Sequence, residues 1–294
     1  MKSLIKVLKL AEQHLEQRGV PLARLSAERL LANVLGLDRL ELYLSYDRPL
    51  MEEELEAYRK LLRRRAAHEP LQYILGNTGF RQLTIELGPG VLVPRPETEI
   101  LVQLALDHLD KMDRDLDKDP VRVLDLCTGS GVVGLSLAAE HGKLWCVLAD
   151  ISRKTLGWAV KNASRADYRC REAVSFLCAD LCEAFHARPL FDIVVSNPPY
   201  VAPNEMNDLP EEIKRYEPLE ALNGGEPGGT AVIRRIIESS FKVMKQGALL
   251  ALEIGESQEQ AIGELFASQQ EKYSPPSFHR DLAGRTRFVT AFKK

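Results

Sequence analysis

Two hydrophobic patterns divide the chain. In the first 75 residues, apolar positions recur at the i, i+3, i+4, i+7 spacing of one helix face, as in Leu4, Val7, Leu8, Ala11 and Leu15. The same spacing predicts further helices over residues 22–35, 39–44 and 51–67. These elements predict a small helical bundle over residues 1–75.

From about residue 88, short apolar segments alternate with amphipathic ones. Strands that are apolar throughout and alternate with helices are typical of a parallel sheet covered on both faces. The predicted strands span residues 121–126, 145–150, 174–180, 191–196 and 248–253. The predicted helices start at Val132 and Ser152, span about 229–245, and start again at Ser257.

The end of the chain departs from this alternation. SFHRD and RFVTAF are two strand-like segments separated by a short loop that contains Gly284, which predicts an antiparallel hairpin at the sheet edge. The fold class is therefore α/β, a mostly parallel sheet with an antiparallel C-terminal hairpin, plus a small N-terminal helical bundle. We expect domains over residues 1–75 and 94–294, joined by a linker or β-hairpin over 76–93.

Composition narrows the class of protein. The 294 residues are 45% hydrophobic and 28% charged with a formal net charge of -3, which indicates a globular protein without overall attraction to a polyanion. The five cysteines form no CxxC pair, and no apolar run approaches the roughly 20 residues of a membrane span. We therefore expect a cytoplasmic protein with reduced thiols, no membrane association and no stable nucleic-acid partner.

The first candidate binding motif follows the strand over 121–126. The segment Asp125-Leu126-Cys127-Thr128-Gly129-Ser130-Gly131 leads into a glycine-rich turn, and Gly134 completes a GxGxxG pattern. A nicotinamide or flavin dinucleotide would place its pyrophosphate at such a turn. Asp125 would repel a pyrophosphate and attract the ammonium of a methionine-like ligand. The motif therefore favours S-adenosylmethionine, a cation without phosphate.

Acidic residues also end the next two predicted strands. Asp150 is placed to bind ribose hydroxyls. Asp180 is placed to accept from an adenine amino group, with Leu181 packing on the ring. Each acid has a simpler interpretation, Asp150 as the cap of the following helix and Asp180 as a surface residue.

The most specific motif is Asn197-Pro198-Pro199-Tyr200, at the end of the strand over 191–196. Ligands of open α/β sheets bind at the carboxyl ends of the strands. The prolines remove two N–H donors, so the Asn197 side-chain oxygen and the Pro198 carbonyl can both accept from a planar NH2 group, on which Tyr200 can stack. Two acceptors would orient that nitrogen and favour the charge that builds on it as a methyl group arrives. The simpler interpretation is a rigid turn.

Other catalytic chemistry has no support in the sequence. The six histidines show no metal-ligand spacing, and no Ser/His/Asp arrangement is apparent. We therefore expect catalysis by positioning and electrostatics, with no metal.

Several segments carry a resemblance to a known family. The tetrapeptide resembles that of amino methyltransferases that modify glutamine amides or exocyclic amines of bases. Nearly the whole chain resembles the peptide-chain-release-factor glutamine N5-methyltransferases, with further matches at HEPLQYILG (68–76), VLVPRPETE (91–99), YEP (216–218) and DLAG (281–284). Cys127 stands where that family usually has glycine, a change that we expect to be tolerated.

The resemblance implies a Rossmann-like S-adenosylmethionine-dependent methyltransferase, with S-adenosylhomocysteine as product. Its target would be the side-chain amide nitrogen (N5) of the glutamine in the Gly-Gly-Gln motif of peptide chain release factors, which the helical domain would recognise. The implied cofactor-binding residues are Cys127, Thr128, Gly129, Ser130, Gly131, Asp150, Asp180, Leu181 and Asn197. The target amide would be held by Asn197, Pro198, Pro199 and Tyr200, with Asn197 and Pro198 catalytic. Arg95, Glu97 and Glu99 would lie in a loop above the cofactor, either as functional residues or as a salt-bridged loop.

Three other functions are compatible with these motifs. An adenine-N6 nucleic-acid methyltransferase would use the same acceptor pair but requires base flipping and a basic cleft. A ribosomal-protein glutamine methyltransferase would share the tetrapeptide and differ in the N-terminal domain. A translation-factor-binding module without catalysis is the third, and the intact Asn197 and glycine turn argue against it.

Overall fold

The structure is a computed structural model that describes residues 3–112, 120–166, 170 and 172–294. Its α-helices are α1 (Leu4–Gln17), α2 (Ala23–Leu35), α3 (Arg39–Leu44), α4 (Glu52–Ala66), α5 (Leu71–Leu75), α6 (Thr98–Leu109), α7 (Val132–Glu140), α8 (Arg153–Arg165), α9 (Glu211–Tyr216), α10 (Ala231–Val243) and α11 (Glu259–Ala267). Its strands are β1 (Asn77–Phe80), β2 (Leu83–Glu86), β3 (Val121–Leu126), β4 (Leu144–Asp150), β5 (Val174–Cys178), β6 (Phe191–Ser196), β7 (Met244–Glu253), β8 (Ser277–Arg280) and β9 (Thr286–Phe292). In these ranges no helix combines the length and the apolarity that a membrane crossing requires.

The described residues form two compact units. One consists of the chain up to Asn77 together with Pro210–Tyr216, and the other lies within Thr78–Leu209 and Glu217–Lys294. The domain boundaries expected from the sequence stay a prediction.

The helical unit is held together by the apolar faces that the sequence pattern predicts. Its core includes Leu4, Leu8, Leu15, Leu30 and Leu31. Helix α9 joins this unit although it is distant in sequence. The buried guanidinium of Arg65 donates to Ser26 Oγ (3.2 Å) and to Glu212 Oε2 (2.7 Å).

The second unit is built around a seven-stranded sheet with the order β5-β4-β3-β6-β7-β9-β8. Strands β3 to β7 pair in parallel, and β9 pairs antiparallel with both β7 and β8. The chain runs outward from β3 through β4 to β5 and then returns to β6 on the other side of β3. The boundary between β3 and β6 is therefore the topological switch point, where open α/β sheets bind their ligands.

Helices cover the central strands because these strands are apolar on both faces. Every residue of β6 is buried. Leu124 and Leu126 of β3 share a core with Ile233 and Ile237 of α10. The α/β class, the parallel sheet and the antiparallel C-terminal strands are confirmed.

Two predicted strand boundaries are wrong, while the helix expected at about 229–245 is found at Ala231–Val243. The strand expected from residue 248 begins at Met244, and the strand expected over 174–180 ends at Cys178, so Asp180 follows it. Met244 has an extended backbone and pairs with Phe191, so strand pairing ends the helix without a turn residue. The sequence reading also missed α6, whose buried residues recur at helical spacing as Leu101, Val102, Ala105, Leu106 and Leu109.

Candidate active site

A cavity of about 660 Å³ lies at the switch point, within the second unit. Its wall contains most of the residues that the sequence assigned to ligands: Cys127, Thr128, Gly129, Ser130, Asp150, Asp180, Leu181, Asn197 and Pro199. Gly131, Pro198 and Tyr200 are not among the lining residues. The folded chain thus brings the glycine turn and the tetrapeptide to one cavity, and their individual ligand roles stay predictions.

The backbone N–H groups of the glycine turn are largely used inside the protein. Thr128 N donates to the Ala149 carbonyl (3.0 Å), and Gly131 N donates to the Thr128 carbonyl (2.9 Å). Gly129 N donates to Asp150 Oδ2 (3.0 Å). A pyrophosphate site of the dinucleotide type presents free N–H groups to the ligand. This turn instead presents carboxylates, which suits a cationic ligand without phosphate.

The glycines of this turn serve different purposes. A Cβ at Gly131 would lie 3.2 Å from Leu148 Cδ2 on β4, and one at Gly134 would lie 2.9 Å from Leu148 Cγ. Both glycines therefore allow α7 to pack closely on the sheet. A Cβ at Gly129 would meet no protein atom nearer than 4.0 Å, and Gly129 lines the cavity. At Gly129 the absence of a side chain therefore leaves room in the cavity for a ligand.

Cys127 occupies a backbone position that favours glycine. Its φ is +57°, in the left-handed region. The chain nevertheless accommodates the side chain, which packs against the core that contains Leu124 and Leu126. Burial raises the pKa of the Cys127 thiol to about 12. Cys127 is therefore a neutral thiol.

Asp125 is buried at the start of the turn and organises it. Its Oδ2 accepts from Thr128 Oγ1 (2.6 Å) and from Gly134 N (2.9 Å). Burial raises the pKa of Asp125 to about 7, because desolvation penalises the carboxylate. A cation at this wall would restore the ionised form, which is the chemistry expected for a ligand ammonium.

The other two acids have protein partners of their own. Asp150 Oδ1 accepts from Ser152 N (2.9 Å), while the cap of α8 is the Ser152 side chain, which accepts from Thr155 N. Burial raises the pKa of Asp150. Asp180 forms a salt bridge with Arg235 (2.8 Å). Arg235 also lines the cavity, and the sequence analysis did not identify it. Each carboxylate oxygen retains further acceptor capacity for a ligand hydroxyl or amino group.

The tetrapeptide presents two hydrogen-bond acceptors. The side chain of Asn197 donates from Nδ2 to Thr98 Oγ1 (3.1 Å). Among the described residues, no hydrogen bond reaches Asn197 Oδ1 or the Pro198 carbonyl. Asn197 lines the cavity, whereas Pro198 is buried and does not, so the acceptor roles of both oxygens stay predictions.

The hydroxyl and the ring of Tyr200 both contact neighbouring side chains. Its hydroxyl donates to Glu253 Oε1 (3.1 Å) and accepts from Arg287 Nη2 (3.0 Å). The guanidinium of Arg287 lies 5.3 Å from the ring centroid. Burial raises the pKa of Tyr200 far above its usual value. The geometry makes Tyr200 a fixed, neutral phenol, and its stacking on a substrate stays a prediction.

The proline-rich loop before α6 is salt-bridged. Arg95 Nη2 donates to Glu217 Oε1 (2.7 Å), and Val93 N donates to Glu217 Oε2 (3.1 Å). Glu99 accepts from Arg81 N (3.1 Å), and Glu97 is exposed. For Arg95 the structure supports the salt-bridged interpretation.

Sequence reasoning missed Thr98, Glu253 and Arg287. Glu253 carried a usable signal, because it is the last residue of an apolar strand next to β6, just as Asp125 lies one residue before the end of β3. Thr98 carried none, because its partners lie 99 and 155 residues away along the chain. No group of three or more His, Cys, Asp or Glu side chains in the described ranges is arranged to hold a metal ion.

The sheet order and the cavity at the switch point are those of a Rossmann-like fold, and the family matches make the chain an S-adenosylmethionine-dependent methyltransferase. Two family descriptions match it, PrmC N-terminal domain over residues 6–76 and methyltransferase small domain over residues 99–215. It is 37% identical to the release factor glutamine methyltransferase of Thermodesulfovibrio yellowstonii, over 80% of this chain and 81% of the relative. It is 33% identical to the release factor glutamine methyltransferase of Rhodopirellula baltica, over 99% of this chain and 96% of the relative. The chain belongs to the release factor glutamine methyltransferase family.

Solved structures support the fold independently. The N-terminal domain of human METTL16 in complex with SAH matches with a TM-score of 0.51 at 16% identity, over 77% of this chain and 81% of that chain. At this identity the likeness is evidence for the fold alone.

Proposed function

We propose that this chain transfers a methyl group from S-adenosylmethionine to the side-chain amide nitrogen of the glutamine in the Gly-Gly-Gln motif of peptide chain release factors. The observation that carries the proposal is the position of Asn197. It directly follows the central strand β6 and lies in the wall of the cavity that the glycine turn also lines, in a chain of this family. Because release factors act at ribosomes, the proposal places the reaction in the cytoplasm.

The cofactor would be held by the residues that line the cavity. The glycine turn, of which Cys127 to Ser130 line the cavity, would hold the methionine part together with Gly131, with Asp125 behind it as the counter-charge. Asp150 would accept from the ribose hydroxyls, and Asp180 with Leu181 would hold the adenine. When bound, S-adenosylmethionine supplies an electrophilic methyl group on a sulfonium.

The tetrapeptide would prepare the acceptor. An amide nitrogen is a weak nucleophile because its lone pair is delocalised. Asn197 Oδ1 and the Pro198 carbonyl would each accept one hydrogen of the amide NH2, which orients the nitrogen and stabilises positive charge building on it. Pro199 and Tyr200 would border the planar amide.

The helical domain would recognise the release factor away from its glutamine. We assign recognition to residues 1–75 and transfer to residues 94–294, joined by residues 76–93. The intact factor should then be a much better substrate, by kcat/KM, than a short peptide that contains Gly-Gly-Gln. Equal kcat/KM values for the two substrates would contradict the assignment.

The proposal is tested with methyl-labelled S-adenosylmethionine and three acceptors: a purified release factor, its Gln-to-Ala variant and duplex DNA. Label on the intact factor alone is the expected result. Label on DNA would assign the chain to the base-methylating enzymes, and no label with the cofactor still bound would favour a binding module.

Substitution of Asn197 tests the mechanism. Asn197→Ala should reduce kcat about 10²–10³-fold, the usual effect of removing one positioned polar contact, or about 2.7–4 kcal/mol. The dissociation constant of S-adenosylmethionine, measured by calorimetry, should stay within a few-fold. Unchanged turnover in this variant would refute the acceptor role.

A further inference from the structure

A chain of hydrogen bonds lies behind the Asn197 side chain. Asn197 Nδ2 donates to Thr98 Oγ1 (3.1 Å), and Thr98 Oγ1 donates to Glu253 Oε2 (2.7 Å). Thr98 is 1% exposed and Glu253 is 0% exposed. The three residues come from the start of α6, the end of β6 and the end of β7. Their meeting is a product of the fold rather than of local sequence.

A second branch reaches the same carboxylate from the other side. Tyr200 donates to Glu253 Oε1 (3.1 Å), and Arg287 Nη2 donates to the Tyr200 hydroxyl (3.0 Å). Both oxygens of Glu253 are thus acceptors for a hydroxyl. Each hydroxyl in turn accepts from a nitrogen, Asn197 Nδ2 in one branch and Arg287 Nη2 in the other. Every donor in this network points toward Glu253.

The direction of these bonds determines how Asn197 is oriented. A hydroxyl has one hydrogen, and the ionised carboxylate of Glu253 can only accept. Burial raises the pKa of Glu253, whereas the positive charge of Arg287 and the hydroxyls of Thr98 and Tyr200 favour its ionised form. Since the hydrogen of Thr98 goes to Glu253, the Thr98 oxygen can interact with Asn197 only as an acceptor. The amide of Asn197 must therefore place its NH2 toward Thr98, because the flipped amide would set one acceptor against another.

We propose that Thr98 and Glu253 are positioning residues, which fix the amide of Asn197 so that its oxygen, and not its NH2 group, is offered to the substrate amide. This inference rests on the proposed function. A substrate NH2 group needs acceptors, and a freely rotating Asn197 would present a donor to it for part of the time. Thr98 and Glu253 act through Asn197, with Arg287 and Tyr200 completing the second branch.

The test compares Thr98→Val, which removes the hydroxyl at nearly constant volume, with Thr98→Ser, which keeps it. Steady-state kcat and KM for a release factor are measured, together with the dissociation constant of S-adenosylmethionine by calorimetry. Thr98→Val should lower kcat about 5- to 150-fold, the range for loss of one partner of a buried hydrogen bond. KM and the dissociation constant should change less than about threefold. Thr98→Ser should keep kcat within about threefold of the wild type.

A matched control separates positioning from general destabilisation. Thr290 on β9 is also a buried threonine, and its hydroxyl bonds to His279 Nε2 (2.8 Å) outside this network. Thr290→Val should lower the melting temperature about as much as Thr98→Val and leave kcat unchanged. Glu253→Gln, whose amide can donate to Thr98 and so reverse the chain, should lower kcat, and adding Thr98→Val to it should cause little further loss.

The outcomes separate this inference from the proposed function. Methylation of the factor by the wild type tests the function. With that established, a wild-type kcat in Thr98→Val would overturn the inference. A Thr98→Ser variant as impaired as Thr98→Val would also overturn it, because the hydroxyl would then not be the active feature.

Discussion

The two kinds of glycine in the turn predict different effects of the same substitution on the affinity for S-adenosylmethionine. In Gly134→Ala, the new Cβ would lie 2.9 Å from Leu148 Cγ and 3.0 Å from Cys146 Sγ, both on the buried strand β4. Overpacking of this sort costs about 1–3 kcal/mol, and alanine recovers about 1 kcal/mol of helix propensity. We expect the free energy of unfolding to fall by up to about 2 kcal/mol, with unchanged affinity for S-adenosylmethionine.

Gly129→Ala should behave differently, because its methyl would meet no protein atom nearer than 4.0 Å and the residue lines the cavity. The left-handed backbone, with φ at +59°, costs an alanine about 1–2 kcal/mol. The methyl group would also occupy ligand space, so we expect the dissociation constant of S-adenosylmethionine to rise at least about tenfold, or 1.4 kcal/mol.

The assay is urea unfolding followed by tryptophan fluorescence, with calorimetry for cofactor affinity. Both tryptophans, Trp145 and Trp158, lie in the unit that contains the cavity, so the signal reports that unit. Making the same substitution in a variant with more space around residue 134 gives a stronger test. In a Leu148→Ala protein both Leu148 contacts are removed and only Cys146 Sγ remains, at 3.0 Å, so the cost of Gly134→Ala should fall by about 1 kcal/mol or more. Equal effects in both backgrounds, or a loss of affinity in Gly134→Ala, would refute the packing argument.

Three further predictions concern stability. Cys127→Gly should stabilise the unit by about 1 kcal/mol by relieving the left-handed residue, while Cys127→Ala should not; equal urea midpoints would contradict this. The pKa of Asp125 is about 7, above its value of about 3.9 in the unfolded chain. Its stabilising contribution is full below about pH 4 and is lost as the pH rises to about 7, so Asp125→Asn should flatten the pH dependence of unfolding across that range. Arg65→Met should destabilise the helical unit by about 1.5–3 kcal/mol, with Glu212→Gln costing less, as circular dichroism would show.

The parts of the fold that the sequence predicted are those with a local cause. Strands such as β6 are buried on both faces, and this leaves a continuous apolar run that is visible without a structure. The junction at Met244 has no such cause. Helix and strand meet there with no glycine or proline between them, and pairing with Phe191 decides the boundary.

The same distinction holds in the site. The tetrapeptide and the acids near the ends of β3 and β4 are predicted from their position at the ends of apolar segments. The network behind Asn197 joins residues 99 and 155 positions apart, so only the folded chain shows that Thr98 and Glu253 share a hydrogen bond.

The glycine pattern shows how a motif can be correct in spacing and ambiguous in chemistry. Residues 129, 131 and 134 satisfy GxGxxG, and Asp150 follows at the position of a ribose-binding acid, as in a dinucleotide site. What separates the two chemistries is where the N–H groups of the turn point. Here Gly129 N donates to Asp150, Gly131 N to Thr128 and Gly134 N to Asp125. A turn that uses these donors internally and backs them with two buried acids has no electrostatic attraction left for a phosphate, and it favours the sulfonium and ammonium charges of S-adenosylmethionine.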